Sequence, residues 1–253
     1  MGSEQVTRAA GLLVRAREEG VALPAEAIGF QLEGPAEAHQ IQALVAAEMG
    51  DVGAWKTGAP SPEDEPIMAP IFAGLVWPSP GRLAARSFHK LGIEAEIAYR
   101  LGRDLPPRER SYTREEVMTA IDAILPAIEV VDSRCVACDQ LDPLWKLADN
   151  QINGGLVTGR ADPDWRRVEP MDQPVRLIID GATVVEGRGG NSAGDPLRLL
   201  VWMANHLGAH CGGLKAGQII TTGSLTGLRF VTPGATVVAD FPGLGTVEVV
   251  FTA

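Results

Sequence analysis

Glu94 and Glu96 stand two residues apart in the run Gly92-Ile93-Glu94-Ala95-Glu96-Ile97-Ala98-Tyr99. The run alternates: Ile93, Ala95 and Ile97 fall on one side, Glu94, Glu96 and Ala98 on the other. Period 2 is the strand period. Residues i and i+2 of a strand share a face, so the two carboxylates project together, their Cα atoms roughly 6.5–7 Å apart. Two unpaired carboxylates this close repel and raise each other's pKa. A hard divalent cation removes that penalty, and oxygen ligands suit Mg²⁺, Mn²⁺ or Ca²⁺. Taken alone, Glu-x-Glu also fits the solvated face of an antiparallel sheet. A third carboxylate, Glu129, sits in a second strand-like run, Pro126-Ala127-Ile128-Glu129-Val130-Val131-Asp132, and three acids on two strands favour the cation.

The elements that would hold these acids can be read in order. Glu4 to Glu19 carries Val6, Ala9, Ala10, Leu13 and Ala16 at helical spacing, with Ser3 to cap and Gly20 to end it. A second helix is expected from Pro35 to Met49, with Ile41, Leu44 and Val45 inward. Val52 to Lys56 and Leu75 to Trp77 look like short strands, the latter closed by the turn Pro78 to Gly81. Between them, Gly58 to Pro66 is a polar loop long enough to form part of a lid. Arg103 to Arg110 is a charged loop. Thr113-x-x-Glu116 is a capping box, and Val117, Ile121, Ile124 and Leu125 suggest a helix that Pro126 stops. Asp180-Gly181 is a hairpin signal between Val175–Ile179 and Thr183–Glu186. Asp195 caps a helix with Leu197, Leu200, Val201, Ala204 and Leu207 inward, ended by Gly212-Gly213. The tail alternates through Thr236–Phe241 and Thr246–Phe251 around Pro242-Gly243. Early helices, single later ones and late hairpins describe an α+β chain with a mixed, curved sheet. No glycine-rich phosphate loop or βαβ alternation supports a nucleotide fold.

Bulk properties narrow the classes. The chain has 253 residues, 45% of them hydrophobic, enough for one large domain or a core with a helical annex. A net charge of −10 argues against nucleic acid or an anionic membrane as partner. No apolar run reaches the ~18 residues of a membrane span, and no basic-then-apolar leader opens the chain. Cys135-x-x-Cys138 lacks a second pair, and Cys211 is distant, so spare thiols in a reducing cytoplasm are expected. His206 and His210 are four apart on the expected last helix, a metal-capable spacing, but with no third ligand nearby they read as a solvated or satisfied pair.

The Glu-x-Glu strand, the Glu129 strand, Ala148-Asp149-Asn150 before Gly154-Gly155, and the stretch Leu214 to Thr226 resemble, in order and spacing, the 2-keto-4-pentenoate hydratase / 4-oxalocrotonate decarboxylase family of the fumarylacetoacetate hydrolase superfamily. The resemblance runs from about Ala36 to the C-terminus. It implies a mixed rolled β-sandwich with N-terminal and flanking helices: residues 1–60 a helical segment packed on the core and 61–253 the catalytic domain, or one domain throughout. It implies Glu94, Glu96 and Glu129 as ligands of Mg²⁺ or Mn²⁺, which a 2-oxo acid would chelate and which would stabilise negative charge on its enol oxygen. It implies catalytic roles for Lys56 and Asp149, and substrate contacts from Asn150, Ser224 and Leu225, the last two through backbone amides of a turn that forms an anion nest.

The activity so implied is hydration of a 2-hydroxy-2,4-dienoate in aromatic-compound catabolism. Alternatives are an oxalocrotonate-type decarboxylase, a C–C hydrolase of the superfamily, or an inactive ligand-binding relative. Homo-oligomers, in complex with a related decarboxylase, are the implied assembly. Two departures stand out. Relatives carry an Asp-Met pair where this chain has Ala73-Gly74-Leu75-Val76, and small residues where this chain has Gln151, Ile152 and Asn153.

Overall fold

The computed structural model describes residues 3–28, 30–136, 140 and 142–253. In chain order the elements are α1 (Ser3–Glu19), α2 (Pro35–Met49), β1 (Val52–Gly58), β2 (Ile67–Phe72), β3 (Val76–Pro78), β4 (Gly81–Ala84), β5 (Gly92–Leu101), α3 (Arg114–Met118), β6 (Ile121–Val131), α4 (Pro143–Ala148), β7 (Asn153–Thr158), β8 (Pro174–Ile179), β9 (Ala182–Arg188), α5 (Pro196–His206), β10 (Ile219–Ser224), β11 (Arg229–Phe230), β12 (Thr236–Phe241) and β13 (Gly245–Thr252). They build two mixed sheets. One has eight strands in the order β2-β1-β10-β5-β6-β7-β3, with β11 added to β5; the other runs β4-β13-β12-β8-β9. The second sheet lays β12 and β13 against β6, and the main core of aliphatic and aromatic side chains fills the space between. This is the α+β, mixed β-sandwich class that the resemblance implies.

The helical stripe of α1 is buried as spaced: Val6, Ala9, Ala10, Leu13 and Ala16 all face inward. With Ile41 and Val45 of α2 and Trp145 of α4, the first four form a second, smaller core. Leu44, expected inward, is instead exposed. Segment 1–60 divides at Asp51: its two helices pack on the flank, whereas its last stretch, β1, is a strand inside the large sheet, parallel to β10 and antiparallel to β2. No described helix is long and apolar enough to cross a membrane.

Three expectations about elements are corrected. The capping box at Thr113 and Glu116 forms with both hydrogen bonds, but its helix ends at Met118, and Ile121–Val131 is a strand. As the strand between β5 and β7, β6 is buried on both faces, so its unbroken apolar run mimics a helical stripe. Pro126 lies inside it. The Pro126 carbonyl accepts from the Gly159 amide just past the end of β7, so its missing N–H faces the place where pairing stops and costs no ladder bond. The last helix ends at His206, capped by Leu207 and followed by Gly208 at φ +59°, rather than at Gly212-Gly213. His210 is therefore off the helix and bonds Gln42, while His206 stacks on Trp202. The two histidines share no site. Cys135 is buried; Cys138 lies outside the described residues.

Candidate active site

Register alone brings the acids together. Glu94 of β5 is directly opposite Glu129 of β6, and Ser224 of β10 is opposite Glu96 on the other side of β5. Cross-strand partners on one face stand about 4.5–5.5 Å apart at Cβ, and here the three glutamates each offer an oxygen within 4.8 Å of the others. Glu96 and Glu129 are buried and Glu94 is half-buried. Glu94 and Glu96, so placed, resist ionisation. Burial first, then Glu129 and Glu94, push Glu96 up to about 8, against the opposing pull of Thr221 and Lys56. Burial and then Glu129 raise Glu94, against Lys56 and the Ser224 hydroxyl.

Each acid is held by a different device. Between Thr221 and Ser224 the pairing of β10 with β5 shifts register, and Gly223 adopts φ +96°. This bulge turns the Gly223 amide onto Glu96 Oε2 at 2.9 Å, beside the Thr221 hydroxyl, which donates to the same oxygen. A side chain at 223 would be strained by that φ. Glu129 Oε1 accepts from Lys56 Nζ at 2.5 Å and from Asn153 Nδ2 at 2.9 Å. Its other oxygen, Oε2, is buried and has no partner among the described residues. Charged acceptors are not left bare inside proteins, and an orphaned carboxylate oxygen within reach of two more carboxylates is what a divalent cation satisfies. The residues present therefore fit an oxygen-ligated ion.

Lys56 comes from β1 and donates also to the Gln151 carbonyl at 3.1 Å. Burial opposes its charge, but Glu129, Glu94 and Glu96 outweigh that and raise its pKa. It is an ammonium at neutral pH and not the lowered-pKa amine that a general base would need. Gln151 is presented by an unusual turn. Asn150, Gln151 and Ile152 follow α4 with φ of 51°, 53° and 52°, three successive left-handed non-glycine residues, a costly conformation kept where surroundings impose it.

A cavity of about 390 Å³ opens over the triad, lined by Lys56, the three glutamates, Gln151 and Ser224, with Thr57 and Ser192 as further hydroxyls and Ala59, Pro60 and Ile67 as the apolar part. The Thr57 hydroxyl is buried with no partner among the described residues. The loop after β1, expected as a loose lid, is clasped: Arg198 donates to the carbonyls of Ser61 and Asp64, and Ser192 to that of Ala59 at 2.7 Å.

The structure thus brings Lys56, Glu94, Glu96, Glu129 and Ser224 to one cavity and leaves three expected residues off its wall. Asp149 is fully buried and accepts from Arg134 Nε at 2.7 Å, the Arg134 amide at 2.9 Å, Ser133 at 3.3 Å and Arg17 Nη2 at 3.3 Å. Asn150 donates to the Pro70 carbonyl at 3.1 Å. The Leu225 amide, expected to meet a substrate carboxylate, is bonded to the Ala95 carbonyl at 2.9 Å. Sequence reasoning missed Thr221, Gly223 and Ser192, and saw Asn153 as a holder of water rather than as a partner of Glu129. For Gly223 a signal existed, since Thr-Gly-Ser inside a strand-like run marks a bulge; the others look like ordinary polar positions.

Two mixed sheets carrying a buried acid triad at mid-strand, open to a cavity with one lysine, define a divalent-metal enzyme. The chain belongs to the fumarylacetoacetate hydrolase family: residues 46–252 match the model of the fumarylacetoacetate (FAA) hydrolase C-terminal domain. It is 30% identical over 188 residues to the 2-keto-4-pentenoate hydratase of Paraburkholderia xenovorans strain LB400, covering 74% of this chain and 69% of that one. It is 28% identical over 260 residues to a 4-oxalocrotonate decarboxylase of a Pseudomonas species, covering 96% and 97%. Among solved structures, 4-oxalocrotonate decarboxylase from Pseudomonas putida G7, complexed with magnesium and adipate, matches with a TM-score of 0.87 at 26% identity over 99% of this chain and 98% of that one. The same decarboxylase complexed with calcium and acetate matches at 0.85.

Proposed function

We propose that the chain is a divalent-metal-dependent hydro-lyase that adds water to a 2-hydroxy-2,4-dienoate to give a 4-hydroxy-2-oxo acid. One observation carries the choice: among the described residues lining the cavity, Lys56 is the only cation, and it is committed to Glu129 and Gln151. A monocarboxylate substrate needs no more; a second carboxylate would have no charged partner there. Glu94, Glu96 and Glu129 would hold Mg²⁺ or Mn²⁺, which when bound supplies Lewis-acid stabilisation of charge at the substrate's 2-oxygen.

The chain's own residues do the rest. Lys56 uses two of its three N–H groups on the protein and keeps the third for the substrate carboxylate, a role its raised pKa favours by holding it as an ammonium. Ser192, Ser224 and Gln151 line the wall where a water can be held, while Asn153, a neighbouring candidate for that task, is engaged with Glu129. Ala59, Pro60 and Ile67 accept the vinyl end. Asp149 and Asn150 act as positioning residues, through the turn that carries Gln151.

A second reading, an oxalocrotonate-type decarboxylase, is favoured by the similarity to such an enzyme over nearly the whole chain. A terminal carboxylate left against the apolar wall would be poorly solvated, which assists loss of carbon dioxide. The test gives the purified, Mg²⁺-loaded protein 2-hydroxypenta-2,4-dienoate and, separately, an oxalocrotonate, with products followed by NMR. The expected product is 4-hydroxy-2-oxopentanoate from the first. Carbon dioxide from the second with no water added to the first would replace the hydratase reading by the decarboxylase one.

A further inference from the structure

A second cavity, of about 290 Å³, shares no lining residue with the first. It lies where α1 meets β6 and the turn before β7. Arg17, Arg134 and Asp132 form its polar part, Trp77 and Phe88 its apolar walls, and Ser87 and His89 its exposed rim. Its two guanidiniums are unequally served. Arg134 donates through Nε to Asp149 at 2.7 Å and through Nη2 to the Asp132 carbonyl, and its Nη1 lies 3.5 Å from the Asp132 carboxylate. Arg17 has only 7% of its side chain exposed, yet a single bond, from Nη2 to Asp149 at 3.3 Å, serves its five N–H donors. Its Nε is buried with no partner among the described residues. A packing contact with the Phe72 ring at 5.6 Å is its other stabilisation.

A buried guanidinium with most of its donors unmet is rare unless something completes it. The cost of burial agrees. Burial first and Arg134 second lower Arg17 to about 9, and Asp149 and Asp132 do not offset them. An added anion would correct this. Trp77, Phe88, Leu75 and Met49 make most of the remaining wall apolar, with His89 at its exposed edge, and among the described residues no further lysine or arginine lines it to balance a dianion such as phosphate. A planar monoanion with an apolar body fits both halves, and a carboxylate can accept from adjacent guanidinium N–H groups.

We propose that this cavity is a binding site for a small apolar monocarboxylate, held head-first by Arg17 and flanked by Trp77 and Phe88, separate from the metal triad and independent of the reaction catalysed there. Benzoate is the probe, titrated calorimetrically into the full-length, Mg²⁺-saturated protein, with inorganic phosphate as the comparison. The expected result is one saturable benzoate site that Arg17→Met weakens about tenfold or more, the scale of a hydrogen bond to a charged group, and that Lys56→Met leaves unchanged. Should Arg17→Met fail to fold, Ser87→Trp closes the rim from an exposed position outside the ion network and should weaken binding comparably. A benzoate complex crystal structure should show the carboxylate against Arg17. No saturation up to tens of millimolar, loss of binding in Lys56→Met but not in Ser87→Trp, phosphate binding more tightly than benzoate, or an ordered water alone at Arg17 Nε would each overturn the proposal.

Discussion

Two buried ionic clusters flank the segment from Asp149 to Asn153, and they are built to opposite plans. Around Glu129, three carboxylates face one lysine, and the atom left without a partner is an acceptor, Glu129 Oε2. Around Asp149, two arginines meet two carboxylates, and the atom left over is a donor, Arg17 Nε. The first cluster has an excess of negative charge that only a cation can relieve. The second is balanced in charge, ties α1 to the sheet through a shared carboxylate, and falls short only in hydrogen bonds. Charge excess marks the chemistry; charge balance marks the scaffold.

Breaking the scaffold should cost most in stability. Asp149→Ala strands two buried guanidiniums, a loss on the scale of about 3–5 kcal/mol, read from urea unfolding, while calorimetric Mg²⁺ affinity of the folded fraction stays as in the parent. A variant as stable as the parent would erase the contrast between the clusters. Glu96→Gln should do the reverse. It removes a ligand, so Mg²⁺ affinity falls by more than the ~10–100-fold typical of supporting residues, yet it relieves repulsion, so the metal-free variant melts at a higher temperature than the metal-free parent at neutral pH. Equal Mg²⁺ affinity in the two proteins would remove Glu96 from the ion's shell.

Asn153→Ala sharpens the comparison at smaller scale. It frees one bond to Glu129 Oε1, so Mn²⁺ titrations followed by electron paramagnetic resonance should show about 10–100-fold weaker binding, with unfolding nearly unchanged. Unaltered Mn²⁺ affinity would make the Asn153 contact incidental. The pH dependence is the subtlest effect. Glu96 is raised from its ordinary 4.5 to about 8, and Glu94 is raised too. The folded, metal-free protein therefore holds protons that the unfolded chain has released, and its stability falls as pH rises from about 4.5 to about 8. Mg²⁺ displaces those protons, so melting curves should show a steep decline with chelator and a shallower one with Mg²⁺. Parallel declines would mean the triad ionises freely without an ion.

Glu94 and Glu96 were legible in the sequence because period 2 is unambiguous when one face is Ile-Ala-Ile and the other carries charge. The capping box at Thr113 was legible for the same local reason. What followed it was not: β6 is apolar on both faces, and an apolar run has no period to read, so Pro126 looked like a helix stop. Partners of the triad were hidden by distance. Thr221 and Asn153 reach Glu96 and Glu129 from 125 and 24 residues away, and nothing in a lone polar residue announces its partner. Asp149 shows the converse. Its place beside Asn150 suggested chemistry, while its bonds to two arginines far apart in sequence were invisible until the chain was folded.

The clasp over the cavity mouth grips main-chain oxygens only: Ala59, Ser61 and Asp64 contribute carbonyls to Ser192 and Arg198, and the side chains of Glu63, Asp64 and Glu65 point to exposed positions. A fastening of that kind is indifferent to what those side chains are. The loop beside the cavity can be rewritten in charge or in bulk without loosening its attachment, provided Arg198 and Ser192 stay. Residues 63–65 are accordingly the positions where change costs the fold least.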